Sequence, residues 1–336
     1  MRFLIATDAW RPQVNGVVRT YQRLDEELRR LGHEPGFLTS DGFYTFPLPT
    51  YPEIRLAMIR PAQAKQRIET FRPDYIHVAT EGPIGLATRS VCLRQDRPFT
   101  SSYHTRFPEY ASARLPVPLS WGYALERWFH NAARGTMVAS PSLRQELAEK
   151  GLKRLLPWSR GVDTEIFHPR DTRVFGDGPV FLYVGRVAVE KNLAAFLDLD
   201  LPGKKVVVGG GPQFEALKAA YPSVVFTGPL FGEPLAEAFA SGDVFVFPSL
   251  TDTYGVVLLE ALASGMPVAA FPVTGPKDIV AHGKVGFLSD DLREAAVNAL
   301  GMDRALCRDY ALGFSWEACA RQFITNITTV CGGPKS

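Results

Sequence analysis

Short runs of β-branched and apolar residues alternate with stretches of helical periodicity along this 336-residue chain, and the alternation occurs twice. A strand followed by a helix and then another strand requires a parallel sheet covered by helices, because the crossover lays each helix on a sheet face. In the first series, Arg2–Ala6 precedes Val17–Gly32, where Leu24, Leu28 and Leu31 recur at helical spacing and Gly32 closes the helix. Tyr75–Ala79 and Phe99–Tyr103 continue it, and Met137–Ser140 leads into a helix capped at Ser140 or Ser142. The second series comprises Val180–Val184, Lys205–Val208, Val224–Thr227, Val244–Pro248 and Pro267–Phe271. Between the two, Phe167–Pro179 is polar and turn-rich, as a linker would be. The expected architecture is α/β: two doubly wound domains facing across a cleft, with ligands beyond the carboxyl ends of the strands.

Composition narrows the class. At 46% hydrophobic and 21% charged residues the chain is globular, neither disordered nor fibrous. Its longest uncharged stretch, Ala261–Pro276, is too short for a bilayer span and is interrupted by Gly265, Pro267, Pro272 and Gly275, so no membrane crossing is expected. Asp8 stops the opening apolar run before it could form a signal-peptide core, which makes the cytoplasm the expected location. Cys92, Cys307, Cys319 and Cys331 form no C-x-x-C pair and no metal spacing with histidine, so neither a disulfide framework nor a zinc site is expected. Charge is uneven: residues 1–165 carry 23 Lys and Arg against 17 Asp and Glu, the remainder 14 against 18. The basic half suits a phosphate or a lipid surface, although solvated arginines would give the same count. No nucleic-acid motif accompanies it.

Four loops follow candidate strands. After Pro248, a polar loop carries Asp252, and a helix beginning near Gly255 carries Glu260 eight residues later. Helix-start N–H groups at Tyr254 to Val256 would bind a diphosphate, and the two carboxylates suit a sugar and a ribose. A plainer alternative is that Asp252 caps the helix and Glu260 is solvated. Gly185–Asn192 offers Arg186 and Lys191, two cations able to neutralise a departing phosphate, or else a solvated Arg and a Lys paired with Glu190. After the first strand, Asn15-Gly16 could take the left-handed backbone that lets a loop approach a phosphate, with the helix start at Val17 adding donors, or form an ordinary turn. His104 ends a strand in the basic half. Gly209-Gly-Gly-Pro fails the dinucleotide fingerprint, with Phe214 where Gly or Ala is needed. Walker, zincin and serine-hydrolase motifs are absent.

Taken in order, PQVNGVVRT, EGPIGL (Glu81–Leu86), SYHTRFPEY (Ser102–Tyr110), RGVD (Arg160–Asp163), GRVAVEKN, GGGP, PSLTDTYGVVLLEALASGMPV and FSWEACARQF (Phe314–Phe323) resemble the retaining glycosyltransferases of family 4, over nearly the whole chain. The resemblance implies the GT-B architecture. Residues 1–166 would form the acceptor domain, completed by a C-terminal helix 316–336, and residues 175–315 the nucleotide-sugar domain. Arg186 and Lys191 would then hold the donor diphosphate, met by Gly16 from the other domain, and Glu260 would hold the ribose. Asp252 stands at the first acidic place of the E-x7-E motif, where Glu is usual, and would touch the donor sugar. Thr253, Tyr254 and Gly255 would supply backbone donors, and His104 is the matching cleft histidine. His104, Asp252, Arg186 and Lys191 are the implied catalytic set. The family transfers sugar with retention, without a metal, and a UDP-sugar is the expected co-substrate. No D-x-D motif accompanies the donor loop.

Within the family, the motifs look most like the subgroup that glycosylates lipids, including diacylglycerol glycosyl-, mannosyl- and sulfoquinovosyltransferases. Residues 106–135 mix aromatic and basic side chains as a membrane interface does, and Arg106, Tyr110, Arg114, Trp121 and Trp128 are the candidate acceptor and membrane contacts. The alternative puts the aromatics in the core. The expectation is a peripheral enzyme on the anionic inner face of the cell membrane with a diacylglycerol- or ceramide-type acceptor. A soluble or polysaccharide acceptor, or a non-catalytic sugar-nucleotide-binding protein, are the competing readings.

Overall fold

The computed structural model describes residues 1–13, 15–48, 51–112, 118–252 and 254–333. Arg114 and Thr253, and the side chain of Tyr110, lie outside the described residues. Two compact units emerge: Met1–Arg160 together with the segment from Trp316 onward, and Gly161–Ser315.

The first unit runs β1 (Arg2–Ala6), α1 (Gly16–Arg30), β2 (Glu34–Leu38), the antiparallel pair β3 (Thr45–Leu48) and β4 (Tyr51–Ala57), α2 (Pro61–Phe71), β5 (Tyr75–Val78), α3 (Pro83–Arg94), β6 (Thr100–Tyr103), α4 (Phe107–Ser112), α5 (Leu119–His130), β7 (Gly135–Val138), α6 (Pro141–Glu149) and β8 (Leu155–Pro157). Its six-stranded sheet is parallel, in the order β2-β1-β5-β6-β7-β8. The second unit runs β9 (Val180–Val184), a 3-10 turn (Val189–Lys191), α7 (Ala194–Leu197), β10 (Lys204–Val208), α8 (Phe214–Ala220), β11 (Val225–Gly228), α9 (Gly232–Ala240), β12 (Val244–Phe247), α10 (Val256–Ala263), β13 (Val268–Ala270), α11 (Pro276–Ile279), β14 (Gly286–Leu288), α12 (Leu292–Ala299) and α13 (Arg304–Leu312). Its parallel sheet is ordered β11-β10-β9-β12-β13-β14. A last helix, α14 (Trp316–Cys331), belongs to the first unit.

The strands are apolar on both faces because both faces are covered. In β1, Phe3 and Ile5 meet Tyr21, Leu24 and Leu28 of α1 and Phe323 and Ile327 of α14, while Leu4 and Ala6 meet Ile76, Ile84 and Val91 on the other side. Each large side chain so buried contributes about 1.5–3 kcal/mol. α14 is held by polar contacts too, since the Trp158 indole donates to the Cys319 carbonyl at 3.1 Å. In the second unit, β9 is buried along its whole length among Val207, Val246, Phe196 and Ala296. Ser140 caps α6, its hydroxyl accepting from the Leu143 amide. All cysteines are free thiols. No described helix is long and apolar enough to cross a membrane.

One boundary differs from the sequence expectation. The units divide at Arg160/Gly161, ahead of the Phe167–Pro179 segment. Residues 161–167 are tied to the second unit: the Val162 amide donates to the Phe314 carbonyl, and Arg308 donates to the carbonyls of Thr164 and Phe167. Polar sequence marked the turns there, and hydrogen bonds to these backbone groups tie the segment to the second unit.

Candidate functional site

In the second unit, the loops after β9, β10 and β12 converge at the carboxyl end of the sheet. The Val187 amide donates to the Gly210 carbonyl at 2.9 Å and the Gln213 amide to the Val187 carbonyl at 3.1 Å. A Cβ at Gly209 would stand 1.9 Å from the Gly185 carbonyl oxygen, and one at Gly211 2.4 Å from that of Val187. The glycine run is thus fixed by loop-on-loop contact, which positions the Arg186 loop. Next, Asn192 turns with φ at 52° and donates its side-chain amide to the Pro248 carbonyl at 3.2 Å, while the Ser249 hydroxyl donates to the Glu190 carbonyl at 3.4 Å. These bonds place Lys191 against the loop after β12. Its ammonium donates to both carboxylate oxygens of Asp252, at 2.6 and 2.8 Å, with about a fifth of either side chain exposed.

Lys191 pairs with Asp252, sixty-one residues away, and Asp252 does not cap α10. The helix is entered through Gly255 at φ 89°, a left-handed residue that admits no ordinary side chain. Tyr254 is buried beside it, and Glu260, on the first turns of α10, is 5% exposed and so not solvated. Arg186 sits half-buried on its loop, its carbonyl accepting from the Tyr183 hydroxyl at 2.8 Å. Asp198-Leu199-Asp200 spells a D-x-D, but it precedes β10, at the opposite end of the sheet from these loops, and Asp198 accepts from the Tyr221 hydroxyl at 2.6 Å.

In the first unit, His104 follows β6 and is held at both ring nitrogens. Nε2 lies 2.8 Å from the Tyr21 hydroxyl and Nδ1 3.2 Å from an Arg160 guanidinium nitrogen. The same Tyr21 oxygen is 3.0 Å from Nε2 of His77, whose Nδ1 meets the Thr100 hydroxyl at 2.8 Å and whose Nε2 also meets Ser102 at 2.9 Å. Burial, with the positive charge of Arg160, pushes His77 down to about 3 and His104 well below the ordinary imidazole range. Both rings are neutral at physiological pH. Tyr21, His77 and Arg160 were not legible as partners, because they come from α1, β5 and the segment after β8.

Gly16 opens α1, but the Asn15-Gly16 pair does not adopt the expected left-handed turn. Asn15 is extended, at φ −154°, and its side chain accepts from the Val17 and Val18 amides at 3.0 Å each, so it caps the helix and engages the two amides expected to serve a phosphate. A Cβ at Gly16 would meet nothing within 4 Å. EGPIGL has a structural explanation as well. The buried Asp8 carboxylate accepts from the Thr80 hydroxyl and the Ile84 and Gly85 amides, at 2.8, 2.9 and 3.3 Å, and a Cβ at Gly82 would run into it.

The stretch 106–135 divides by face. Tyr123, Glu126, Phe129 and His130 turn inward from α5, whereas Trp121, Leu125 and Trp128, spaced i, i+4 and i+7, are 70%, 60% and 53% exposed. Arg89 stacks on Trp128 at 3.9 Å. Arg106 is removed from the membrane candidates: it is buried in a bidentate pair with Glu146, 2.7 Å at both contacts. Behind α5, His130 Nε2 lies 3.1 Å from both Glu81 and Glu126. Burial opposes a charge on His130, but the two carboxylates outweigh it and raise the ring to about 9. The ligand-capable atoms lie within 4.8 Å of one another, a grouping that a protonated imidazole between two carboxylates accounts for.

Comparison with known proteins bears on the family and the fold. Residues 14–166 match the model of Glycosyltransferase Family 4 and residues 178–302 that of Glycosyl transferases group 1. The chain is 33% identical to a sulfoquinovosyl transferase of Arabidopsis thaliana, over 82% of this chain and 61% of that protein, so it spans less than two thirds of that relative's length. It is 34% identical to a GDP-mannose-dependent alpha-mannosyltransferase of Mycolicibacterium smegmatis, covering 86% of this chain and 84% of the other. With the alpha-monoglucosyldiacylglycerol synthase of Streptococcus pneumoniae it shares 27% identity over 80% and 71% of the two chains. Its fold is that of sucrose-phosphate synthase from Thermosynechococcus elongatus, with a TM-score of 0.75 at 22% identity over 96% and 97% of the two chains. Two parallel-sheet units of GT-B type, matched in sequence along both, make this chain a member of glycosyltransferase family 4.

Proposed function

We propose that this glycosyltransferase moves a sugar from a nucleotide-sugar, a UDP-sugar in the first instance, to a membrane lipid of diacylglycerol or ceramide type, with retention and without a metal, at the inner face of the cell membrane. The observation that carries the donor half is the junction of two loops: Lys191 bonded to Asp252, with Glu260 buried on the helix that follows. An ammonium has three donors, enough to hold Asp252 and a phosphate oxygen together. Arg186 and Lys191 neutralise the diphosphate as it departs, and Glu260 takes the ribose hydroxyls. Both oxygens of Asp252 accept from Lys191, which suits a carboxylate that orients sugar hydroxyls and does not attack carbon.

In this reading the acceptor hydroxyl attacks the anomeric carbon on the face the nucleotide leaves. The acceptor oxygen bonds to that carbon as its bond to the phosphate oxygen breaks, and the acceptor proton passes to the departing phosphate. The lipid acceptor is supported by the exposed Trp121, Leu125 and Trp128 face of α5 in the basic unit, and by the diacylglycerol named for the Streptococcus pneumoniae relative.

The test is incubation of the protein with anionic vesicles containing diacylglycerol or ceramide and a panel of UDP-, GDP- and ADP-sugars, read by mass spectrometry, with Lys191→Ala as control. A glycolipid formed by the wild type and lost in the variant supports the proposal and names the donor, GDP-mannose being the competing arm. Product on free sugars or glycans and none on lipid rejects the lipid acceptor. Donor binding without turnover on any acceptor rejects catalysis.

A further inference from the structure

His104 is the first unit's contribution to the proposed reaction, yet its imidazole is bound on both sides by that unit itself. A guanidinium only donates, so Nδ1 of His104, 3.2 Å from Arg160, is an acceptor and carries no proton. The ring's single proton is then on Nε2, where it is donated to the Tyr21 oxygen at 2.8 Å. Arg160 is itself fixed: it is 4% exposed, donates to the carbonyls of Trp158 and Ser159 at 2.7 and 3.0 Å, and lies 4.1 Å over the Trp158 ring. Trp158 also meets His104 edge to face, with centroids 6.0 Å apart. The imidazole is thereby set in one tautomer and one orientation by a group that cannot lose its proton.

We propose that Arg160 is a positioning residue for sugar transfer: it fixes His104 as the Nε2-protonated ring, so that His104 is a rigid neutral group that takes no proton during the reaction. The inference rests on the glycosyltransferase reading above and deepens it. It assigns acceptor deprotonation away from the one histidine implied in catalysis and leaves it to the departing phosphate. The ionisable groups facing His104 include, among the described residues, Tyr21 from α1, His77 from β5 and Arg160 from the segment after β8, with His130 of α5 acting on it electrostatically. The positive charge of Arg160, like burial, holds the ring unprotonated.

The test is long-range 1H–15N NMR of the full chain labelled at its six histidines, with His104 assigned by its loss in His104→Asn and spectra taken from pH 6 to 8.5. The expected wild-type signal is the Nε2–H tautomer, unchanged over that range. In Arg160→Met the ring should become a tautomer mixture or titrate within the range, and Arg160→Lys, which keeps a donor, should restore the wild-type pattern. Alongside, kcat in Arg160→Met should fall about tenfold or more with KM for the nucleotide-sugar held within about twofold, as misorientation without lost ground-state binding predicts. A wild-type His104 that is protonated on Nδ1 or titrates in the range overturns the proposal, as does Arg160→Met with unaltered His104 signals and kcat. If Arg160→Met does not fold, the wild-type spectrum and Arg160→Lys decide. A wild-type protein with the expected spectrum and no sugar transfer to any acceptor overturns the glycosyltransferase reading and leaves the tautomer assignment in place.

Discussion

The candidate sites of the two units are built in opposite ways. In the second unit, the chemistry lies on two short loops, each beginning where a strand ends, and the decisive contact, Lys191 to Asp252, is partly open to solvent. In the first unit, Tyr21, His77, His104 and Arg160 arrive from four separate elements and lock one another in a buried hydrogen-bond chain. The first arrangement is suited to exchanging partners as a charged ligand enters and leaves. The second holds its geometry, because opening it would strand buried polar groups at about 1–3 kcal/mol each.

That contrast orders the expected effects. Lys191→Ala should lower turnover by about 10²–10³, as loss of a cation facing developing charge does, with only a modest fall in Tm from leaving the partly covered Asp252 without its ammonium. A large fall in Tm with intact kcat would turn the assignment of the two sites around. In the first unit the sign concerns stability. The folded value of His77, about 3, lies below its unfolded value near 6.5, so the unfolded chain binds the proton first. Its contribution is present above pH 6.5 and is lost as pH falls toward 3, at about 1.4 kcal/mol per pH unit. Denaturant unfolding free energies between pH 6.5 and 4 should fall less steeply in His77→Gln than in the wild type by about that slope; equal slopes would mean the ring is not the group that titrates.

Smaller effects sharpen the comparison. Trp121→Ser with Trp128→Ser should reduce partitioning onto anionic vesicles by about tenfold or more, with nucleotide affinity unchanged, as read by flotation and calorimetry. Gly16→Ala should keep or slightly raise Tm, because the added methyl meets nothing and Ala outranks Gly in a helix by up to about 1 kcal/mol. Turnover should nevertheless fall several-fold if the glycine serves a ligand's approach; wild-type turnover would assign Gly16 to the helix alone.

How much of this was legible follows from the same contrast. Both sheets could be read from runs such as Arg2–Ala6 and Val180–Val184, whose boundaries the structure reproduces. Strands β2, β8 and β14 went unrecognised: Glu34–Leu38 contains a proline and a glycine, and the other two are three residues long. Arg186, Lys191, Asp252 and Glu260 could be named because each lies just after a legible strand and within a motif that resembles the family's. What they bond to could not, since the Lys191–Asp252 pairing depends on how Asn192 and Ser249 tie the loops together. The partners of His104 left no local trace, and Arg106 was misassigned because its partner, Glu146, lies forty residues on.

The return of α14 to the first unit also has a kinetic meaning. Phe3, Ile5, Tyr75 and Met137 share one sheet face with Phe323 and Ile327, and Gly161–Ser315 is synthesised between the two sets. At ribosomal speeds of about 5–20 residues per second that interval lasts roughly 10–30 s. Throughout it the nascent first unit has a greasy, half-covered sheet, while the second unit, continuous in the chain, has everything it needs to fold. The unit made first is therefore the one that finishes last, and the newborn chain's exposure to aggregation and to chaperones is set by how soon its final helix arrives.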